Sequence, residues 1–194
     1  MRKNPGLMTV SVTIFTLLLS LSCRAQSPEL SAALQYLNAV RANPGAYSGD
    51  AGADLSDIAP MPALLWNEQL AEAARRKAQD MATRRYFDHV DPDGYGMNHF
   101  IHQAGYTLNE AFLRNRSANM FESISAGTSS PRAAIINLIS DGNEPVHEKA
   151  GHRLHLLGIK DFWRNCQDIG IGWASNPNAP YRTYCVVLIA KHSW

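Results

Sequence analysis

Apolar positions in the first two thirds of the chain recur every three or four residues, and in the last third every second residue. Ser27-Pro28 reads as an N-cap followed by proline at the first helical position, and Leu30, Leu34, Leu37 and Val40 follow at helical spacing. A first helix is predicted from there to Asn43-Pro44-Gly45. Residues 46–64 are rich in Gly, Asp, Ser and Pro with no sustained period, which predicts a surface connection. From Asn67 onward, Leu70, Ala74, Ala78 and Met81 form one stripe while Glu72, Arg75, Arg76 and Gln79 fall elsewhere, the pattern of an amphipathic helix. Asp91-Pro92-Asp93-Gly94 is a turn signal, after which Met97–Ala104 predicts a short helix closed by Gly105. Ser130-Pro131 opens a further helix with Ala134, Ile135, Leu138 and Ile139 inward, ending at Gly142. Then the period changes. Ile169, Ile171 and Trp173 alternate with small residues, a turn spans Ser175 to Pro180, and Tyr184 to Ala190 is nearly all apolar, so two antiparallel strands are predicted, the second central. Helices first and strands last predict an α+β domain, a small antiparallel sheet layered between helices.

The N-terminus is of another kind. Arg2 and Lys3 precede an apolar and hydroxylated run from Leu7 to Leu21, which reads as a secretory signal peptide over residues 1–25, ahead of one domain over 26–194. Ser20-Leu21-Ser22-Cys23 resembles a lipobox, giving a lipid anchor on Cys23, while Cys23-Arg24-Ala25 before Gln26 suits ordinary signal peptidase; both stay open. Without residues 1–25 the chain carries 15 Lys and Arg against 17 Asp and Glu, a balance of −2. No basic patch points to nucleic acid. Cysteine usage fits export: Cys166 and Cys185 remain as an even pair flanking the predicted hairpin, and are expected to form a disulfide, the alternative being two buried thiols.

Polar residues suited to chemistry gather in three stretches: Tyr86 to Gly94 around His89, Phe121-Glu122-Ser123-Ile124-Ser125-Ala126-Gly127, and Gly151-His152-Arg153-Leu154-His155-Leu156-Leu157. Together with Leu37 to Gly45 and Leu65-Trp66-Asn67, they resemble the CAP superfamily. This is the SCP-like extracellular domain of cysteine-rich secretory, antigen 5 and pathogenesis-related 1 proteins, here in a bacterial form. The second stretch resembles the family's Gly-Glu-Asn-Ile/Leu-Ala motif and the third its Gly-His-Arg-x-Asn motif. The resemblance implies a three-layer α-β-α sandwich with a central cleft, where two histidines and two acidic residues converge and can hold a divalent metal such as zinc. Carried over, these are His89, Glu122 and His152, with Glu144 as the fourth group and Asp141 competing for the place. The sequence departs from the motifs at Phe121 for Gly, Ser123 for Asn and His155 for Asn. His155 is expected on a strand edge with a solvated ring.

Other chemistries fail on spacing. His147 and His152 are five residues apart, roughly 140° around a helix rather than one turn, and Gly151 disfavours a helix there, so the metalloprotease motif is absent. A calcium loop starting at His89 would need an acidic residue where Phe100 stands. No Gly-x-Ser-x-Gly elbow occurs, and no catalytic nucleophile is assigned. The expected function is an exported, non-enzymatic, monomeric module whose cleft binds a small ligand, a lipid or a protein. The alternative is a metal-dependent hydrolase with Glu122 as general base to a metal-bound water.

Overall fold

Each long helix begins where a side-chain oxygen meets its first free amides. Ser27 accepts from Leu30 N at the start of α1 (Pro28–Ala42), Asn67 from Gln69 N and Leu70 N at the start of α3 (Glu68–Arg84), and Ser130 from Ala133 N at the start of α5 (Pro131–Ser140). A computed structural model describes residues 26–193. The expected signal peptide and Cys23 lie outside the described residues. The connection after α1 holds a 3₁₀ turn at Pro44–Tyr47 and the one-turn α2 (Ser48–Ala51). Beyond the Asp91–Gly94 turn comes α4 (Met97–Gln103), and α6 (Gly151–Leu157) and α7 (Asp161–Arg164) follow α5.

The strands are β1 (Leu65–Trp66), β2 (Glu122–Ala126), β3 (Asp168–Ser175) and β4 (Thr183–Ala190), in the order β1-β3-β4-β2. β4 is central and antiparallel to both neighbours, and β1 joins β3 in parallel. The chain folds as an α-β-α sandwich. Alternation along β4 divides the core: Cys185, Val187 and Ile189 face α1, α5 and α6, whereas Tyr184, Val186, Leu188 and Ala190 face α3 and α4.

β3 shows why its alternate residues are small. Ile169 and Ile171 fill the first layer, while Gly170 and Gly172 lie under α3 so closely that a Cβ on either would come within 2.2 Å of helix backbone atoms. The alanine-rich face of α3, with Ala73, Ala74 and Ala78 fully buried, completes that contact. Glycine here is a packing requirement rather than a turn signal.

Three expectations are corrected. The predicted disulfide is absent, and Cys166 and Cys185 are both free and buried. The hairpin register explains it: Cys185 pairs with Trp173, seven positions along the chain from Cys166, on the order of 20 Å at strand rise and far beyond disulfide reach. Burial pushes the two thiols up to about 11 and about 12, so both behave as small apolar side chains. His155 is not a solvated strand-edge residue; it is 3% exposed on α6. Gly151 does not prevent a helix but opens one, the break falling at Ala150 between the 3₁₀ turn His147–Lys149 and α6.

Candidate functional site

At the β2 edge of the sheet, the three motif stretches meet around a cavity of about 270 Å³ lined by His89, Glu122, Asp141, His152 and His155 among others. His89 follows α3 in a segment fixed from below. Lys77, on the buried face of α3 and 3% exposed, donates to the His89 carbonyl oxygen at 3.1 Å and to Tyr86 Oη at 3.2 Å. Tyr86 Oη in turn donates to Asp80 at 2.6 Å. Asp91 holds the next turn by accepting from Asp93 N and Tyr95 N. The imidazole then meets Glu122, the first residue of β2, with Nδ1 and Oε2 2.8 Å apart. Glu122's side chain has no exposed surface, whereas that of His89 is 42% exposed.

The opposite wall repeats the arrangement. Asp141 caps α5 in a left-handed conformation (φ 48°), which turns its carboxylate back toward the start of α6. One carboxylate oxygen accepts from His152 N at 2.9 Å and the other lies 2.7 Å from His152 Nδ1. Asp141 thus stands where the fourth acidic group was expected. Glu144 does not line the cavity, and its carboxylate instead accepts from Val146 N, two residues on. Arg153 is fully buried beside this wall, donating to the Ile139 and Ser140 carbonyls at 2.7 and 2.8 Å. It closes the C-terminus of α5, whose last carbonyls have no partner within the helix.

An ionised carboxylate only accepts, so the proton between each pair sits on Nδ1 and leaves Nε2 of His89 and His152 without a protein partner. Glu122 holds His89 above the usual imidazole range, against the opposing effect of burial. Burial raises Glu122 as well, outweighing His89 and Lys77, and pulls Lys77 down. Both shifts in the pair have the same sign for stability. His89's contribution is fully present below pH of about 6.5, its unfolded value, and is lost as pH rises through its higher folded value; the buried Glu122 likewise favours low pH. The pair's contribution to stability is expected to fall from pH 6 to pH 8, against the rise that buried His155 brings over the same range, so it is read as the difference between the natural protein and Glu122→Gln, which loses the falling part. Proton NMR titration of His89 checks it directly, with a midpoint above about 6.5 in the natural protein and below it in the variant.

Sequence reasoning did not reveal the floor of the cavity. Ser123 Oγ lies 2.7 Å from His155 Nδ1, and the His155 ring packs on Trp163 with centroids 4.6 Å apart. These are the two positions where the motifs ordinarily carry Asn, so the two departures touch each other. The contact is not a nucleophile with its base. Ser123 is 1% exposed, and burial pulls His155 down to about 3, far below the range in which an imidazole takes up a proton near neutrality. Lys77 was legible in principle, since it falls on the apolar stripe seven residues after Leu70. Asn119, which lines the cavity as Lys77 does not, carries no signal of periodicity.

Among the described residues no group of three or more His, Cys, Asp or Glu side chains is placed to hold a metal ion. Each carboxylate is engaged by the imidazole beside it.

The family model described as the cysteine-rich secretory protein family, CAP, matches residues 34–189. No curated protein matches the chain by sequence. Three solved structures share the fold. An SCP-domain-containing extracellular protein of Bacillus anthracis has a TM-score of 0.50 at 18% identity, over 86% of this chain but only 45% of its own. This chain therefore spans less than half of that protein. An outer surface protein of Borrelia burgdorferi gives 0.51 at 16% identity, over 84% of this chain and 94% of its own. Venom allergen-like protein 4 of Schistosoma mansoni gives 0.51 at 15% identity, over 87% and 92%.

Proposed function

Since the chain belongs to the CAP family of cysteine-rich secretory proteins, we propose that it is an exported, non-enzymatic module whose cleft binds a small polar ligand. One observation carries the reading. Two imidazoles from distant parts of the chain, each tethered through Nδ1 to its own carboxylate, line a single cavity with both Nε2 atoms uncommitted. Second groups that orient a histidine in this way fix its tautomer and so fix what it offers a ligand. Export is supported by the signal-like residues 1–25 and by the extracellular and outer-surface character of the Bacillus and Borrelia proteins.

The hydrolase alternative needs a different donor set. A catalytic zinc takes about three protein ligands and a structural one four. Two imidazoles, with both carboxylates spent on them, fall short of that, so the residues do not fit a resident metal and no step is derived through one. Glu122, with no exposed side-chain surface and one oxygen on His89, is also badly placed to serve as base to a water in the cleft.

A screen of polar fragments by ligand-observed NMR tests the proposal. At least one fragment is expected to bind the natural protein and to lose binding in the His89→Ala/His152→Ala variant. A screen covering acids, amines and polyols in which no fragment depends on the two histidines would overturn it.

A further inference from the structure

A strand at the edge of a sheet presents a row of unpaired amides and carbonyls, and folded chains ordinarily mask it with a charge, a proline, a bulge or a covering segment. β3 is masked only at its start. β1 pairs with it at Asp168 and Ile169 and then leaves for α3, the last bond there running from Asn67 N to the Ile169 carbonyl. One step earlier a side chain protects the border, Asn38 accepting from Leu64 N and donating to the Leu64 carbonyl. Beyond Ile169 nothing takes over. Ile169 turns its carbonyl to β1, so by alternation Ile171, Trp173 and Ser175 turn theirs outward, while Gly170, Gly172 and Ala174 face β4. Among the described residues the outward amides and carbonyls of those three have no hydrogen-bond partner. Ile171 is buried, Trp173 half-buried and Ser175 exposed, so the reachable edge is the end of the strand, which carries neither a charge nor a proline.

Beside this edge runs a groove between the starts of α1 and α3, walled by Trp66 and Trp173 and rimmed by Glu29, Glu68, Glu72 and Arg75. It shares no lining residue with the histidine cleft, which lies at the other edge of the sheet. A row of donors and acceptors at strand repeat is matched as a unit by another extended backbone. Charge narrows the choice further. Glu72 is spent on Arg75 and Arg76, at 2.8 and 2.6 Å. Glu29 and Glu68 are exposed and meet no cation among the described residues, Glu68 only accepting from Trp66 Nε1 at 3.0 Å. Each stands in the first turn of its helix, whose positive end offsets about half a charge, so about one net negative charge remains. A second copy pairing edge to edge would set these carboxylates against their own counterparts. A lysine or arginine side chain meets them with opposite charge, and the indole faces of Trp66 and Trp173 favour the same cation.

Size agrees with a side chain rather than a free ligand. At about 230 Å³ the groove lies below the range of ordinary small-molecule pockets and takes one long side chain. Leu65, 59% exposed on β1, continues the apolar surface along the same border.

We propose that the open end of β3 is a docking site for an extended, basic segment of another polypeptide, which adds to the sheet as a strand beside Trp173 and Ser175 and sets a lysine or arginine against Glu29 and Glu68. The test is amide NMR and calorimetry of the whole mature chain with three end-blocked pentapeptides: Thr-Val-Lys-Val-Thr, the same peptide with Glu in place of Lys, and the Lys peptide N-methylated along its backbone. In the free chain the Trp173 and Ser175 amides are expected to exchange with solvent faster than those of Gly172 and Ala174, which face β4. The Lys peptide is expected to bind saturably, to slow that exchange and to leave the His89 and His152 ring signals in place. The Glu and N-methylated peptides should each bind at least about tenfold more weakly. Glu29→Gln/Glu68→Gln, at two exposed positions, should weaken the Lys peptide by roughly threefold to tenfold. Slow exchange at Trp173 and Ser175 in the free chain would overturn the proposal, as would three peptides that bind alike, or no binding of the Lys peptide at millimolar concentration. A dimer in sedimentation that protects the same two amides would assign the edge to a second copy and overturn it as well.

Discussion

Gly172→Ala is expected to destabilise the protein by at least about 3 kcal/mol, the upper end of what overpacking costs, because the added methyl has nowhere to go. Its Cβ would lie 2.2 Å from the carbonyl carbon and oxygen of Ala74 and 2.4 Å from Arg75 N, all backbone atoms of α3. A flexible side chain could swing aside, but a helix pinned along β3 can yield only as a body. Gly49→Ala is the matched control: nothing lies within 4 Å of the new methyl, and the site is helical. That change should be neutral or stabilise by up to about 1 kcal/mol through the unfolded chain. Urea midpoints for the two variants measure the contrast, and equal midpoints would show that α3 does not rest on β3 as described.

Arg153→Met carries the second large effect, a loss of about 3 kcal/mol or more. Methionine keeps much of the apolar stem but strips the buried Ile139 carbonyl of its donor, at about 1–3 kcal/mol, and the half-buried Ser140 carbonyl and His147 Nδ1 of theirs at a smaller cost each. The damage should also reach the cleft. Asp141 follows those carbonyls directly, and its left-handed backbone aims the carboxylate that holds His152. A lowered urea midpoint with unchanged slope, accompanied by a displaced His152 ring signal, is the expected pair of results. A stable variant with an undisturbed His152 would separate Arg153 from the site.

The helices α1, α3 and α5 were legible because their caps and apolar stripes are local: Ser27, Asn67 and Ser130 each act within their own first turn. β3 and β4 were legible by alternation. β2 was not, since the face it turns toward α5 and α6 carries serines instead of apolar residues. Ser123 and Ser125 are buried, yet they bond His155 and Asn137 across the layer, and no spacing in the chain announces such partners. β1 has two residues and exists only because β3 lies beside it. The disulfide expectation failed for a related reason. Which residue faces Cys185 depends on the register of the hairpin, set by where Ser175 meets Thr183, and not on both cysteines lying near its ends.

The site was legible to the level of its motifs. His89, Glu122 and His152 line one cavity, but the choice between Asp141 and Glu144 turned on a single positive φ at the end of α5, which composition does not encode. His155 was the least legible. Its burial depends on α6 starting at Gly151 and on Trp163 closing over the ring.

That two carboxylate-tethered histidines present bare Nε2 atoms to one shared ligand site is tested most directly by long-range ¹H–¹⁵N NMR of the imidazole rings, at a pH where both rings are neutral. The proton is expected on Nδ1 in both His89 and His152, with both Nε2 signals moving together, on one saturation curve, as a single polar ligand is added. A proton on Nε2 of either ring, or two rings that answer to different ligands, would contradict it.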